Sequence, residues 1–184
     1  NVMPGLVLPI LIANMISPRE AAYFYTSWSI STLLFMIPKQ IAQSLFAESS
    51  NFKDALDKFI IRSIRVISLI LIPSVFIILI FGDKLLLFYG SEYSQSGSDL
   101  LRIFALSSIP LAICSIYTTI KNVESHVRIV FLVNAIIAII TLIGSYFLVG
   151  RIGLIGVGYA WFLGNMIVAI GTGFSIINRF TGDH

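Results

Sequence analysis

ISLILIPSVFIILI at residues 67–80 and FLVNAIIAIITLI at residues 131–143 are apolar at nearly every position. A strand of a membrane barrel alternates apolar and polar residues with a period of two, and neither run does. A backbone in lipid has to satisfy its own hydrogen bonds, which an α-helix does within one segment. Both runs therefore read as lipid-spanning helices, and their richness in β-branched residues is no objection.

Working outward, six such segments can be drawn, at about 2–16, 21–46, 64–81, 100–120, 129–149 and 152–177. The first looks like the end of a longer span. The whole chain, 1–184, reads as one all-α domain, a polytopic transmembrane bundle of about six helices. Composition agrees: 57% of the residues are hydrophobic and 11% charged, against about a quarter charged in soluble domains. The formal net charge of +3 does not point to nucleic acid, because the basic residues fall mainly between the apolar runs. Lys53, Lys58, Arg62, Arg65, Lys121, Arg128 and Arg179 lie on one side, and Arg19, Lys84, Arg102 and Arg151 on the other. Cytoplasmic loops carry the excess of Lys and Arg, so the expected C-terminus is cytoplasmic. Cys114 is alone and can form no internal disulfide. The chain begins at Asn1 inside an apolar stretch, which suggests a fragment with a preceding part missing.

Two loops have character of their own. Asn51–Arg62 reads as a short amphipathic helix capped by Asn51, with an Asp54–Lys58 pair and with Leu56, Phe59 and Ile60 toward the bilayer. The stretch 82–99 reads as an outer loop, with an interfacial turn at Leu85–Tyr89 and a polar run at 90–98.

The informative residues are the polar ones inside the spans. Tyr25, Ser29, Thr32, Met36, Lys39 and Gln43 recur at helical spacing and make one face, which Gln40 and Ser44 widen. Span four repeats the pattern with Ser108, Ser115, Thr118, Thr119 and Asn122, and span five with Asn134, Thr141 and Ser145. Three striped helices suggest a shared interior. The plainer alternative is that these side chains hydrogen-bond helix to helix. Lys39 weighs toward a cavity, since a charge near mid-membrane costs about 2.5–3.5 kcal/mol and usually faces the bundle interior; snorkelling to the nearby interface is its alternative. Five prolines, Pro4, Pro9, Pro38, Pro73 and Pro110, fall within spans. Pro38, beside Lys39, is the candidate hinge. The glycines of 150–173 lack the Gly-Lys-Ser/Thr ending of a phosphate loop. Ala160 with Gly164 and Ala169 with Gly173 have instead the small-xxx-small spacing of close helix packing.

Enzyme chemistry finds little support. His126 and His184 lie in a loop and at the terminus, no set has metal-ligand spacing, and every carboxylate falls outside the spans. No cofactor is implied.

Several stretches resemble the polysaccharide biosynthesis/oligosaccharide flippase family of the multidrug/oligosaccharidyl-lipid/polysaccharide exporter superfamily. They are Glu20-Ala-Ala-Tyr-Phe-Tyr25, Ile37-Pro38, Ser44–Ser49, Ile72-Pro73, Phe81-Gly82, Leu87–Tyr93, Leu100-Leu-Arg102 with Pro110, and Gly153–Gly158 with Ala160-Trp161. The resemblance implies one six-helix lobe, the C-terminal one, of a two-lobe transporter in the cytoplasmic membrane. Its substrate would be a polyprenyl-diphosphate-linked oligosaccharide, flipped by alternating access around a basic cavity, and its partner would be the N-terminal lobe of the same protein. Lys39 departs from the small residue expected after that proline, so its role is inferred from its position alone. The candidate cavity residues are Lys39, Gln43, Thr32, Asn134 and Arg102, and the lobe alone is expected to be inactive. The rival readings are an ion-coupled drug exporter, a membrane enzyme of polysaccharide assembly and a scaffold.

Overall fold

Short turns at 16–17, 88–90, 124–126 and 153–154 set most of the topology. The computed structural model describes residues 3–49 and 56–181, and among them every regular element is an α-helix. These are α1 (Met3–Met15), α2 (Pro18–Ser49), α3 (Leu56–Leu87), α4 (Ser91–Val123), α5 (Val127–Ile152) and α6 (Ile155–Thr181). Four of the connections are two or three residues long and make the helices they join antiparallel, and the starts of α2 and α4 lie side by side through Tyr23–Glu92 and Ser27–Gly97, so α2, α4 and α6 run one way and α1, α3 and α5 the other. Gly153 ends α5 at φ 66, and its N–H donates to the Val149 carbonyl at 3.0 Å. That left-handed cap is a conformation glycine adopts without strain.

α4 is the central helix. It packs against α2, α3 and α6 and more lightly against α5, and it buries Leu100, Leu101, Phe104, Ala105 and Ala112. The main core joins these to Phe24 and Phe35 of α2, Leu71 and Val75 of α3, and Val157 and Trp161 of α6. Close approach of α2 and α4 depends on Gly97, whose carbonyl accepts a 3.1 Å bond from Ser27 Oγ. α5 lies on α6 through small residues: Thr141 meets Gly164, and Gly144 meets Ala160. This is the packing role expected of the Ala160/Gly164 pair. Thr141 and Ser145, read above as part of a cavity stripe, are fully buried there and serve the helix interface.

The outer surface is apolar. Leu69, Phe76, Ile80, Phe131, Phe147, Ile170 and Phe174 are all exposed, an arrangement suited to lipid and costly in water. Among the described residues four helices, α3 to α6, are long and apolar enough to cross a membrane, two fewer than the spans drawn from the sequence. α1 has only 13 residues. α2 has the length, but its Tyr25–Gln43 face is largely polar.

Two loop expectations are corrected. Residues 56–62 are the opening turns of α3, and Ile60 is buried in the core and not turned to the bilayer; Asn51 and Asp54 lie outside the described residues. The stretch 82–99 is a connection only at 88–90: α3 continues to Leu87, with Leu86 fully buried, and α4 begins at Ser91. Hydropathy marks where lipid ends, whereas the helical hydrogen-bond ladder continues into water as long as packing supports it.

Candidate functional site

α2 turns its polar face toward α5, and between them, floored by α4, is a cleft of about 690 Å³. α2 contributes Tyr25, Trp28, Ser29, Thr32, Phe35, Met36, Lys39 and Gln43. Tyr25 to Gln43 is 18 residues, about 27 Å of helix, so the cleft follows much of the length of α2. α4 lines it with Ser115, Thr118, Thr119 and Asn122, α5 with Val130, Val133, Asn134 and Ile137, and α6 with Trp161 and Asn165.

Four of the five sequence-derived candidates, Lys39, Gln43, Thr32 and Asn134, therefore share one cavity. Arg102 does not line it. Arg102 Nη1 instead meets Asp99 Oδ1 at 3.3 Å, one turn back on α4. Pro38 is buried within an unbroken α2. It leaves the Leu34 carbonyl without its helical donor one residue before Lys39. Ser108, assigned to the α4 stripe, faces the core and bonds the Ala105 carbonyl.

Lys39 is the one charged side chain lining the cleft, and it has no ion-pair partner among the described residues. Several of the hydroxyl groups lining the cleft are already committed as donors. Thr32 Oγ1 donates to the Trp28 carbonyl at 2.8 Å, Thr118 Oγ1 to Cys114 at 2.9 Å, and Thr119 Oγ1 to Ser115 at 2.8 Å. Asn134 Nδ2 donates to Val130 at 2.8 Å. What these groups can still offer is mainly acceptor lone pairs. The cleft thus combines one cation with a set of acceptors, which suits a ligand carrying an anionic group and many hydroxyls.

Toward the start of α2 the lining becomes aromatic, a feature that sequence reasoning missed. Trp28 and Trp161 meet edge to face at 4.8 Å, backed by Phe24, Phe35 and Phe104. Asn165 was missed as well; it is buried, and its side chain donates to the Trp161 carbonyl at 2.8 Å. An amide in mid-span was the available signal, obscured by the glycines around it.

Ion pairs tie both ends of the bundle. At one end Arg19 Nε donates to Tyr23 Oη (2.7 Å), Tyr23 donates to Glu92 (3.1 Å), and Arg19 also pairs with Glu92, joining the starts of α2 and α4. At the other end Arg179 of α6 holds Asp57 of α3 at 2.9 Å and also Glu124, which Lys121 holds at 2.7 Å. Burial pushes the Glu124 carboxyl up, but the hydrogen bonds from Lys121 and Arg179 outweigh it and hold its pKa below the ordinary range.

Comparison with known proteins gives one relative. The chain is 21% identical over 154 residues to a Shigella flexneri protein named "Putative O-antigen transporter". The match covers 82% of this chain and 37% of that protein, so the chain spans well under half the length of the relative. No family model matches the chain, and no solved structure matches it.

Proposed function

We propose that this chain is part of a transporter that moves a lipid-linked oligosaccharide across the cell membrane, and that the α2–α4–α5 cleft is its portion of the substrate path. The observation that carries the reading is Lys39, a lone cation on a cleft otherwise lined by hydroxyl, amide and aromatic groups. In this reading Lys39 attracts the anionic diphosphate linkage. Gln43, Thr32 and Asn134 accept hydrogen bonds from sugar hydroxyls. Arg102, held by Asp99 outside the cleft, has no part in it. The transporter-like relative and the lipid-facing apolar surface support the same class. Alternating access would need α2 to change its angle, and Pro38, where the helical ladder is already interrupted, is the place proposed for the bend. No covalent step is required, because exposing one site alternately to two sides needs only two conformations of similar free energy.

A drug exporter acting on cations would favour an acidic cleft, and no Asp or Glu is among the lining residues. The test is binding of undecaprenyl-diphosphate-linked oligosaccharide to the purified chain in detergent. A charge-assisted hydrogen bond is worth about 1.5–3 kcal/mol, so Lys39→Ala should weaken binding roughly ten- to hundredfold. Wild-type affinity in a well-folded Lys39→Ala chain would refute the site.

A further inference from the structure

The cleft has two chemically different ends, and we infer that it reads the substrate in a fixed direction: the anionic linkage lies at Lys39, and a sugar ring farther along the glycan stacks on Tyr25 and Trp28. The inference rests on the function proposed above and adds the orientation and the specificity element.

Tyr25, Trp28, Thr32 and Lys39 follow one another on a single face of α2, at steps of three, four and seven. Trp28 and Lys39 are separated by 11 residues, three turns of helix within about 20°, and by about 16 Å along the axis. That distance exceeds one sugar ring. The ring that reaches Trp28 is therefore not the one bonded to the phosphate but a later one.

The aromatic end is built to hold its geometry. Trp28 is clamped by Trp161 at 4.8 Å and Phe104 at 5.3 Å, both edge to face, and by Phe24 stacked at 5.7 Å. On the α1 side Gly5 leaves room for the indole, since a Cβ there would stand 3.0 Å from Trp28 Nε1. A ring fixed in advance loses little entropy when a ligand lies against it. Tyr25, by contrast, is 60% exposed while lining the cleft, so core packing does not account for it. Trp161 supplies a further sign of an absent partner. It lines the cleft, and its Nε1–H is buried without an acceptor among the described residues. Such a donor is costly to leave unpaired, and a sugar oxygen would satisfy it once the buried edge of Trp161 opens toward the cleft. The apolar face of a pyranose and its ring of hydroxyls match this mixture of aromatic surface and buried donor.

The chain contains two tryptophans, and both line the cleft, so intrinsic fluorescence reports directly on this end. The experiment uses the purified chain in detergent with three probes: undecaprenyl diphosphate, the same lipid carrying one sugar, and the same lipid carrying a tetrasaccharide. Binding is measured with radiolabelled lipid, and tryptophan emission is recorded in parallel. All three should bind through Lys39, and only the tetrasaccharide lipid should change the emission. Tyr25→Ala should weaken the tetrasaccharide lipid by roughly three- to tenfold and leave the sugar-free lipid unchanged. An equal emission change with all three lipids, or an equal loss of all three in Tyr25→Ala, would overturn the orientation while leaving the proposed function intact. Failure of all three lipids to bind would refute that function, and this inference with it.

Discussion

Alanine introduced at two glycines of this chain should change stability in opposite directions, and the structure gives the sizes. Gly156 opens α6 against the end of α5. A Cβ built there would lie 2.7 Å from both the carbonyl carbon and the carbonyl oxygen of Leu148. The obstacle is backbone, so no side-chain rotation relieves it and the two helices must separate. Overpacking of this kind costs about 1–3 kcal/mol. Gly171 lies on the exposed side of α6, where a Cβ meets nothing within 4 Å. There alanine should stabilise by about 0.5–1 kcal/mol, because glycine loses more backbone entropy in a helix. At about 2–4 °C per kcal/mol for a chain of this size, Gly156→Ala should lower the Tm by about 2–12 °C and Gly171→Ala raise it by about 1–4 °C. Cys114 provides the assay. It is the single cysteine and is buried, so a thiol-reactive fluorogenic dye responds only as the bundle opens on heating. A Gly156→Ala chain as stable as wild type would refute the close-packed α5–α6 corner, and with it the account of how α5 is held beside the cleft.

Two further outcomes follow from the ion cluster and the proline. The folded pKa of Glu124 lies below its ordinary value of 4.5, so its contribution is present above that value and is lost as pH falls through the lower, folded one. Thermal stability should therefore drop on acidification below about pH 4.5, and Glu124→Gln should be less stable at neutral pH and flatter across the acid range; an unchanged acid profile would exclude Glu124 as the group responsible. Pro38→Ala restores the donor to the Leu34 carbonyl and should leave lipid binding within about twofold while slowing transbilayer movement of a labelled lipid in vesicles that hold the complete transporter; undiminished movement would remove Pro38 as the bend.

The sequence made the helical character plain, because runs such as 67–80 allow no other backbone in lipid. It also made α2's cleft face plain: six residues chosen by spacing alone, Tyr25, Ser29, Thr32, Met36, Lys39 and Gln43, line one cavity. Helix ends were not legible: 56–62, read as part of a separate short helix, opens α3, and 91–99, read as a polar loop, opens α4 through packing against its neighbours. Nor did periodicity separate a hydroxyl facing a cavity from one facing another helix. Asn134 lines the cleft, while Thr141, on the same helix, is buried against Gly164 of α6, and Ser145 is fully buried as well. The difference lies in the partner: the small residues Gly164 and Ala160 on α6 draw that part of α5 inward. Arg102, the candidate second cation for the diphosphate, has a local partner in Asp99 at i−3 and does not line the cleft.

α2 shows why membrane character and function compete within one helix. With 32 residues it has the length to span a bilayer. Its polar positions, however, keep it out of the set that composition alone would assign to lipid; Tyr25, Ser29, Thr32, Lys39 and Gln43 lie on the cleft face, and Ser27 and Ser31 are buried on the opposite side. A helix of that kind is tolerated where protein covers its other side. The placement fits: Phe24, Ser27, Ser31 and Leu34 of α2 are buried, and α2 packs most extensively against the central helix α4. Part of what weakens the hydropathy of α2 is thus what gives the cleft its cation and its acceptors. Replacing them by leucine would make a better membrane span and, on the reading proposed here, leave no site.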